Sequence, residues 1–329
     1  MKDDQDEDEQ PTPRPETWPA FEQAVRERHG VADAALATEL GVTRSRFHRR
    51  TARESWTVAR EGVRLHPHVP DSVQQRVTVV TVSTAGLAAA SRDTAAWLHG
   101  LEARPPDRQS VALAHPYRAE RHRDVRIHRA RWLTSDDVVA VQGVATLTVP
   151  ATLLSSSRAD ATRQRARLID VLHRGLATTD EVLALLDRVG PVPGKGTLRD
   201  LCHEFGPLTV ESIFQDEVAR TLSGLGYPAE RSTTRIDTPD GVGLTPDIAL
   251  RPWKVAVETE GDAFHRTRSQ RRTDRRRIAA YAGTPWVPYP IDWRDWFDDR
   301  DHVLDGLDAA IASQRELGTG RDHLPPRRQ

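Results

Sequence analysis

The stretch TPDIALRPWKVAVETEG, residues 245–261, decides the fold expected for the second half of this chain. Asp247 stands at the start of one β-rich segment, and Glu258 and Glu260 stand two residues apart on the next segment. Because side chains alternate between the faces of a strand, both glutamates share one face and Val257 lies on the other. The apolar residues of the second segment predict a strand in the centre of a sheet. We therefore expect three carboxylates to converge beside buried strands.

These carboxylates predict a site for a divalent cation. Carboxylates clustered beside buried strands repel one another and lose hydration unless a proton or a cation compensates. Carboxylate oxygens and water are the ligands that Mg²⁺ and Mn²⁺ prefer, so Asp247, Glu258 and Glu260 are the candidate metal ligands. A Glu-x-Glu pair on an edge strand can also be a solvated surface, and the sequence leaves that alternative open.

The segments around this stretch predict a domain of its own over residues 207–317. The expected elements are a helix over 210–226, strands over 229–236, 244–250 and 254–261, a basic helix over about 267–281, and a strand over 286–290. Helix, three strands, helix and strand is the order of an α/β sandwich.

The expected helix after the carboxylate strand and the residues just before it are rich in arginine. Their arginines are Arg266, Arg268, Arg271, Arg272, Arg275, Arg276 and Arg277. Arginines hold a phosphate backbone, and a metal ion polarises a scissile phosphate. The combination favours phosphodiester chemistry, with an ordinary salt-bridged helix face as the alternative.

The amino-terminal segment, residues 18–70, has the pattern of a winged helix-turn-helix. Asp33 and Thr43 are placed to cap two successive helices, and residues 56–67 read as a hairpin of two short strands. Phe47 is expected to face the core. The second helix carries Arg44, Arg46, Arg49, Arg50 and Arg53. We expect this helix to enter the major groove of DNA, with Arg46, Arg49 and Arg50 as contacts, or else to belong to a protein-contact module.

Residues 71–206 are expected to form a mixed α/β and helical middle region, which makes the whole chain α/β (α+β). Strands are predicted over 76–83, 110–116 and 124–132, a helix over 87–98, and further helices from Pro150 onward. Residues 1–17 and 318–329 are predicted to be disordered tails.

The amino-acid composition limits the cellular location that we expect and the kinds of partner that the protein can bind. Lys+Arg 47 and Asp+Glu 48 give a net charge of -1, so any nucleic-acid-binding surface must be local. A single cysteine, Cys202, gives no internal disulfide, and no apolar stretch approaches the length that spans a bilayer. The sequence predicts a cytoplasmic protein with no membrane partner.

Residues 209–298 resemble the very-short-patch-repair-like endonuclease domain of the PD-(D/E)xK nuclease superfamily. The resemblance rests on Asp247, Glu258-x-Glu260-Gly261, His265, Arg266, Asp274, Arg277, Gly283 and Trp286-Val287. It implies a restriction-endonuclease-like fold with Asp247 and Glu258 as metal ligands, Glu260 as a further ligand or base, and His265 as an acid or phosphate contact. Arg266, Arg271, Arg272, Arg275 and Arg276 would hold DNA.

Two positions depart from the pattern of that superfamily. Glu260 stands where the broad superfamily has lysine, and Gln215 follows Ser212 where a glutamate is usual. Both departures concern residues of the expected nuclease site rather than residues of the expected fold.

The upstream region is similar to AbiEi-type antitoxins, through HGVADAALATELGVTRSRFHRR (29–50), WTVAREGVRLHP (56–67) and VATLTVPATLL (144–154). Three functions follow as hypotheses. The first is a Mg²⁺- or Mn²⁺-dependent DNA endonuclease with a DNA-binding module, and the second is a catalytically inactive DNA-binding antitoxin or transcriptional regulator. The third is an adaptor for an acidic partner. DNA is the expected ligand, a cognate toxin is a candidate partner, and homodimerisation is left open.

Overall fold

The computed structural model describes residues 17–84, 86–117, 122–157, 160–239, 241, 243–260 and 277–318. The chain forms two compact units, Met1–Leu201 and Cys202–Gln329. Both units contain helices and strands, so the predicted mixed α/β class is confirmed. The domain boundaries at 70/71 and 206/207 stay predictions. Within the described ranges, no helix has the length and apolarity to cross a bilayer.

The first unit opens with a winged helix-turn-helix. Its elements are α1 (Thr17–Glu27), β1 (Val31–Asp33), α2 (Ala34–Glu39), α3 (Arg44–Arg53), β2 (Thr57–Arg60) and β3 (Val63–Leu65). The side chain of Asp33 accepts a hydrogen bond from the Leu36 N–H, and that of Thr43 accepts one from the Arg46 N–H, so both predicted caps are confirmed. The wing strands pair as predicted, and β1 adds a third strand in the order β1-β3-β2, which the sequence pattern did not reveal.

A mixed sheet follows in the same unit. Its elements are α4 (Val73–Val82), β4 (Ala88–Ala90), α5 (Arg92–Leu98), β5 (Gln109–Ala114), β6 (Val125–Ala130), a 3₁₀ turn (Ser135–Asp137), β7 (Val138–Val141) and β8 (Val144–Leu147). Among the described residues the strand order is β6-β5-β4-β8-β7. The predicted strands at 110–116 and 124–132 are confirmed as β5 and β6.

Two predictions for this region are wrong. Residues 76–83 form most of helix α4 rather than a strand, because Ser72 caps the helix and its valines pack against the sheet. Residues 87–98 are not one helix, since the alanines of β4 pair with β5 before α5 begins.

Four helices complete this part of the chain: α6 (Val149–Ser155), α7 (Ala161–His173), α8 (Thr179–Arg188) and α9 (Lys195–Phe205). They confirm the helical region predicted from Pro150. Thr178 and Glu181 form a capping box at the start of α8.

The second unit contains helices and a mixed sheet. Its elements are α10 (Val210–Gly224), β9 (Glu230–Arg231), β10 (Ile248–Leu250), a 3₁₀ turn (Arg251–Trp253), β11 (Val255–Glu260), β12 (Val287–Asp292), α11 (Trp293–Asp298) and α12 (Arg300–Glu316). The strand order among the described residues is β12-β11-β10-β9, with β11 parallel to β12 and antiparallel to β10. The carboxylate strand β11 is therefore interior, as its apolar pattern predicted.

The expected strand over 229–236 is much shorter than predicted. Only Glu230–Arg231 pairs with β10, and Ile236 forms a separate bridge with Leu244. Ile213 of α10 is buried, whereas Val210 at the first turn of this helix is 37% exposed.

Candidate functional site

An aromatic cluster fixes helix α3 in the winged helix-turn-helix. Phe47 is fully buried and its ring lies 5.9 Å from that of Phe21. Trp18 and Trp56 pack on the same cluster, with their ring centroids 6.3 Å apart. Burial of Phe47 and Thr51 defines the inner face of α3, so the opposite face must point to solvent.

The outer face of α3 is a cationic surface. It carries the exposed residues Arg44, Arg46, Arg49 and Arg53. Within the part of the chain that the structure describes, none of these four arginines has an acidic partner. Their charges are therefore available to an external anion, and we call these four residues the α3 arginine face.

Arg50 is placed differently from the other arginines of α3. Its Nε donates a hydrogen bond to Glu54 Oε1 at 2.7 Å, and its guanidinium lies 4.3 Å from the centroid of the Trp18 ring. Glu54 also accepts a hydrogen bond from the Trp56 indole at 3.3 Å. The structure thus separates Arg50 from Arg46 and Arg49 and gives it contacts within its own module.

The hairpin after α3 has the shape of a wing. Gly62 adopts a φ of 73° at the turn, a conformation that favours glycine, and Val58 is 61% exposed on β2. The pairing shifts between Val58 and Arg60.

The second candidate site is the carboxylate cluster, which we define as Asp247, Glu258, Arg277 and Tyr281. Glu258 is 5% exposed. Its Oε2 accepts a hydrogen bond from Arg277 Nε at 3.0 Å, and its Oε1 accepts one from the Tyr281 hydroxyl. Both oxygens of this buried carboxylate therefore have protein partners.

Asp247 is held at the other side of the cluster. Its Oδ2 accepts hydrogen bonds from the backbone N–H and the hydroxyl of Thr259, each at 2.8 Å. Its Oδ1 lies 3.8 Å from the guanidinium of Arg277, which also donates to the carbonyl of Thr245 at 2.6 Å. Arg277 thus bridges the two carboxylates predicted from the sequence to lie together.

The pKa shifts in the cluster follow from burial and charge. Burial raises the pKa of Glu258 most strongly, and the hydrogen bond from Tyr281 and the charge of Arg277 oppose this rise. Burial lowers the pKa of Arg277, but the negative charge of Glu258 raises it above its usual value. Burial and the bond to Glu258 raise the pKa of the Tyr281 hydroxyl, so this hydroxyl stays a donor.

The chemistry of the donors fits Mg²⁺ or Mn²⁺, but Arg277 already offsets part of the negative charge of the two carboxylates. Asp247 and Glu258 offer hard oxygen donors side by side. Over the described ranges, however, no three metal-capable side chains come together. Glu260 is half-buried at the end of β11.

The remaining predicted site residues lie outside the described residues. They are His265, Arg266, Arg271, Arg272, Arg275 and Arg276. Their assigned roles stay predictions.

Gln215 is engaged by a neighbouring arginine. Its Oε1 accepts a hydrogen bond from Arg231 at 2.9 Å, and Arg231 also pairs with Asp216 at 3.2 Å. The amide that replaces the usual glutamate thus has a structural partner on β9.

Sequence reasoning missed Tyr281 as a partner of Glu258. Arg277 and Tyr281 are four residues apart, a spacing that places two side chains on one face of a helix. That spacing was the available signal, and residues 277–279 are indeed helical.

Comparison with known proteins supports the antitoxin part of the sequence prediction. Residues 84–192 match the family "AbiEi antitoxin C-terminal domain", and this range contains the five-stranded sheet and helices α6 to α8. The crystal structure of the RV2827C protein from Mycobacterium tuberculosis is similar at 20% sequence identity and a TM-score of 0.35, over 61% of this chain and 81% of that chain. The search of curated proteins gives no match. The family match lies upstream of residues 209–298 and does not bear on the endonuclease resemblance.

Proposed function

We propose that this protein is a DNA-binding antitoxin or transcriptional regulator of the AbiEi type. One observation carries the proposal. A winged helix-turn-helix with an unneutralised arginine face lies in the same compact unit as the domain that matches the AbiEi antitoxin C-terminal family. If the protein acts as an antitoxin, its protein partner would be a cognate toxin.

The α3 arginine face has the chemistry of a DNA contact. Arginine forms bidentate bonds to guanine and to phosphate, and a helix of this size fits the major groove. Arg46 and Arg49 lie near the middle of α3, whereas Arg50 is tied to Glu54 and Trp18. Arg46 and Arg49 are therefore the residues that we assign to base or phosphate recognition.

The test is selection of bound sequences from a pool of random duplexes, followed by fluorescence anisotropy on the enriched sequence. We expect the Arg46→Gln/Arg49→Gln variant to bind it more weakly by about 1–3 kcal/mol per base-reading arginine. Arg104→Gln/Arg108→Gln is the matched control, because it removes two exposed arginines from the loop before β5. No enriched sequence, or equal loss in both variants, would contradict the proposal.

A metal-dependent endonuclease is the second candidate function. It is favoured by the adjacency of Asp247, which directly precedes β10, and Glu258 on β11. In this hypothesis Asp247 and Glu258 would hold Mg²⁺ or Mn²⁺, with Glu260 as a further ligand. The metal would polarise a scissile phosphate. The test is to incubate the wild type and the Asp247→Ala variant with supercoiled, linear and single-stranded DNA in Mg²⁺ or Mn²⁺ and to measure cleavage. Equal cleavage by the wild type and the variant would show that Asp247 and Glu258 do not form the nuclease site.

A further inference from the structure

We propose that an open cleft in the first unit is the docking site of a protein partner, which inserts an apolar side chain flanked by lysine or arginine. The cleft lies between β7, the start of α6 and α8, and its volume is about 640 Å³. Its lining residues all fall within residues 84–192, the range that matches the AbiEi antitoxin C-terminal domain. The inference rests on the proposed function, because it names the surface through which such an antitoxin would bind its toxin.

The first step concerns the apolar lining of the cleft. Val149, Ala177 and Leu185 are buried, whereas Val139 is 40% exposed and Leu176 is 38% exposed. An occupant that covers Val139 and Leu176 removes their apolar surface from water, which stabilises the complex. The part of the partner that enters the cleft is therefore apolar.

The second step concerns the ionisable groups inside the cleft, which already have partners. Asp137 is 3% exposed, and its carboxylate accepts hydrogen bonds from Arg188 and from the Thr134 hydroxyl. His99 Nε2 lies 2.7 Å from the carbonyl oxygen of Leu147, and burial lowers the pKa of this histidine. A small polar metabolite would have to displace these bonds, whereas an apolar side chain leaves them in place.

The third step concerns charge. Asp136 and Glu181 also line the cleft, both are exposed, and neither forms an ion pair with a basic residue in the part of the chain that the structure describes. Arg188 lines the cleft as well, but Asp137 offsets its charge. The cleft is therefore negative overall, so it repels DNA phosphates and attracts lysine and arginine. The first unit thus presents an anionic surface for a protein in addition to the cationic α3 arginine face.

The test is selection, from a displayed library of short random peptides, of those that bind the full chain but not an Ala184→Arg variant. Ala184 is exposed on the face of α8 that lines the cleft, so an arginine there is compatible with the helix. Its side chain would fill the cleft and repel basic residues of the peptide. We expect the enriched peptides to carry a large apolar residue next to lysine or arginine.

A synthetic peptide of the enriched sequence then serves as the probe in fluorescence anisotropy. We expect Asp136→Asn/Glu181→Gln to bind it about tenfold more weakly at low salt, because two exposed ion pairs together contribute about that factor. This variant keeps oxygen acceptors at both positions, including the one that caps α8. The matched control Asp107→Asn/Asp124→Asn removes two exposed carboxylates outside the cleft and should bind like the wild type.

Two results would overturn the proposal. One is a selection that enriches no peptide, or only peptides without basic residues. The other is equal affinity of the probe for the wild type and for Asp136→Asn/Glu181→Gln. Arg46→Gln/Arg49→Gln should bind the probe like the wild type, so failure of this proposal and failure of DNA binding are distinguishable.

Discussion

At the scale of single residues, the carboxylate cluster depends on a charged hydrogen bond that is shielded from water. The Tyr281 hydroxyl donates to Glu258, and both groups are buried. A hydrogen bond to a charged group contributes about 1.5–3 kcal/mol, whereas a bond between neutral groups contributes about 0.5–1.5 kcal/mol. The hydroxyl of Tyr281 should therefore matter more to stability than a typical tyrosine hydroxyl.

We predict that Tyr281→Phe lowers the free energy of unfolding by about 1.5–3 kcal/mol, because it leaves Glu258 Oε1 without its donor. Tyr289→Phe is the matched control, since its hydroxyl donates to the neutral carbonyl of Val303 at 2.7 Å. Denaturant titration of both variants measures the difference. A loss in Tyr281→Phe no larger than that in Tyr289→Phe would show that the bond to Glu258 is not a charged one.

The raised pKa of Glu258 predicts a dependence of stability on pH. The folded chain holds the proton of this acid more tightly than the unfolded chain, whose glutamate has the ordinary pKa of 4.5. The resulting stabilisation is complete below that value and is lost as the pH rises through the raised pKa. Glu258→Gln cannot titrate, so the wild type should lose free energy of unfolding relative to this variant over that interval. Denaturant titrations at several pH values measure this difference. The same dependence of the free energy of unfolding on pH in the wild type and in Glu258→Gln would contradict the raised pKa of Glu258.

Part of the candidate site could be predicted from the residues alone. The alternation in the segment of β11 predicted Glu258 and Glu260 on one face, and the position of Asp247 at the start of the preceding segment predicted it near them. The roles of Arg277 and Tyr281 could not be predicted in the same way, because they depend on how the segment around these two residues packs on the sheet. Alternation along a strand is a local property, whereas the partner of a buried charge is set by tertiary packing.

At the scale of elements, capping residues predicted helices better than composition did. Asp33 and Thr43 marked the starts of α2 and α3 correctly because a cap is a local hydrogen bond. The run of valines and threonines in 76–83 suggested a strand, yet Ser72 caps a helix there and Val77 and Val80 are buried against the sheet. Tertiary packing outweighed the preference of β-branched residues for strands.

The hairpin of β7 and β8 was not predicted, although Gln142-Gly143 is a turn sequence between two apolar runs. Both residues have positive φ, 49° and 75°, as a tight hairpin turn requires. The turn also packs against the end of α1, because His29 Nε2 lies 2.5 Å from the carbonyl of Gln142. This hairpin therefore connects the winged helix-turn-helix to the middle sheet.

We predict that Gly143→Ala destabilises the first unit more than Gly175→Ala. Both glycines have positive φ, so both variants carry strain of about 1–2 kcal/mol. A Cβ at position 143 would also lie 2.2 Å from the backbone oxygen of Glu27, whereas a Cβ at position 175 would meet nothing within 4 Å. The overpacked position should lose about a further 1–3 kcal/mol. Thermal unfolding of the two variants measures the difference. Equal losses of stability would show that position 143 is not in close contact with the backbone of Glu27.

At the scale of the whole molecule, two kinds of chemistry lie in separate compact units. The first unit contains the α3 arginine face and the AbiEi-like region, and the second contains the carboxylate cluster. A near-neutral total charge hides this distribution, since the exposed arginines of α3 form a local cationic surface. The α3 arginine face and the carboxylate cluster therefore each need a separate functional test.

The central claim, that the α3 arginine face binds DNA, is tested most directly by the salt dependence of duplex binding by the full chain. We expect log K to fall linearly with log salt concentration, and Arg46→Gln/Arg49→Gln to reduce the slope by about 0.9 for each arginine that contacts a phosphate. Arg104→Gln/Arg108→Gln should keep the wild-type slope. A wild-type chain that does not bind duplex DNA at low salt, or an unchanged slope in the Arg46→Gln/Arg49→Gln variant, would contradict the account.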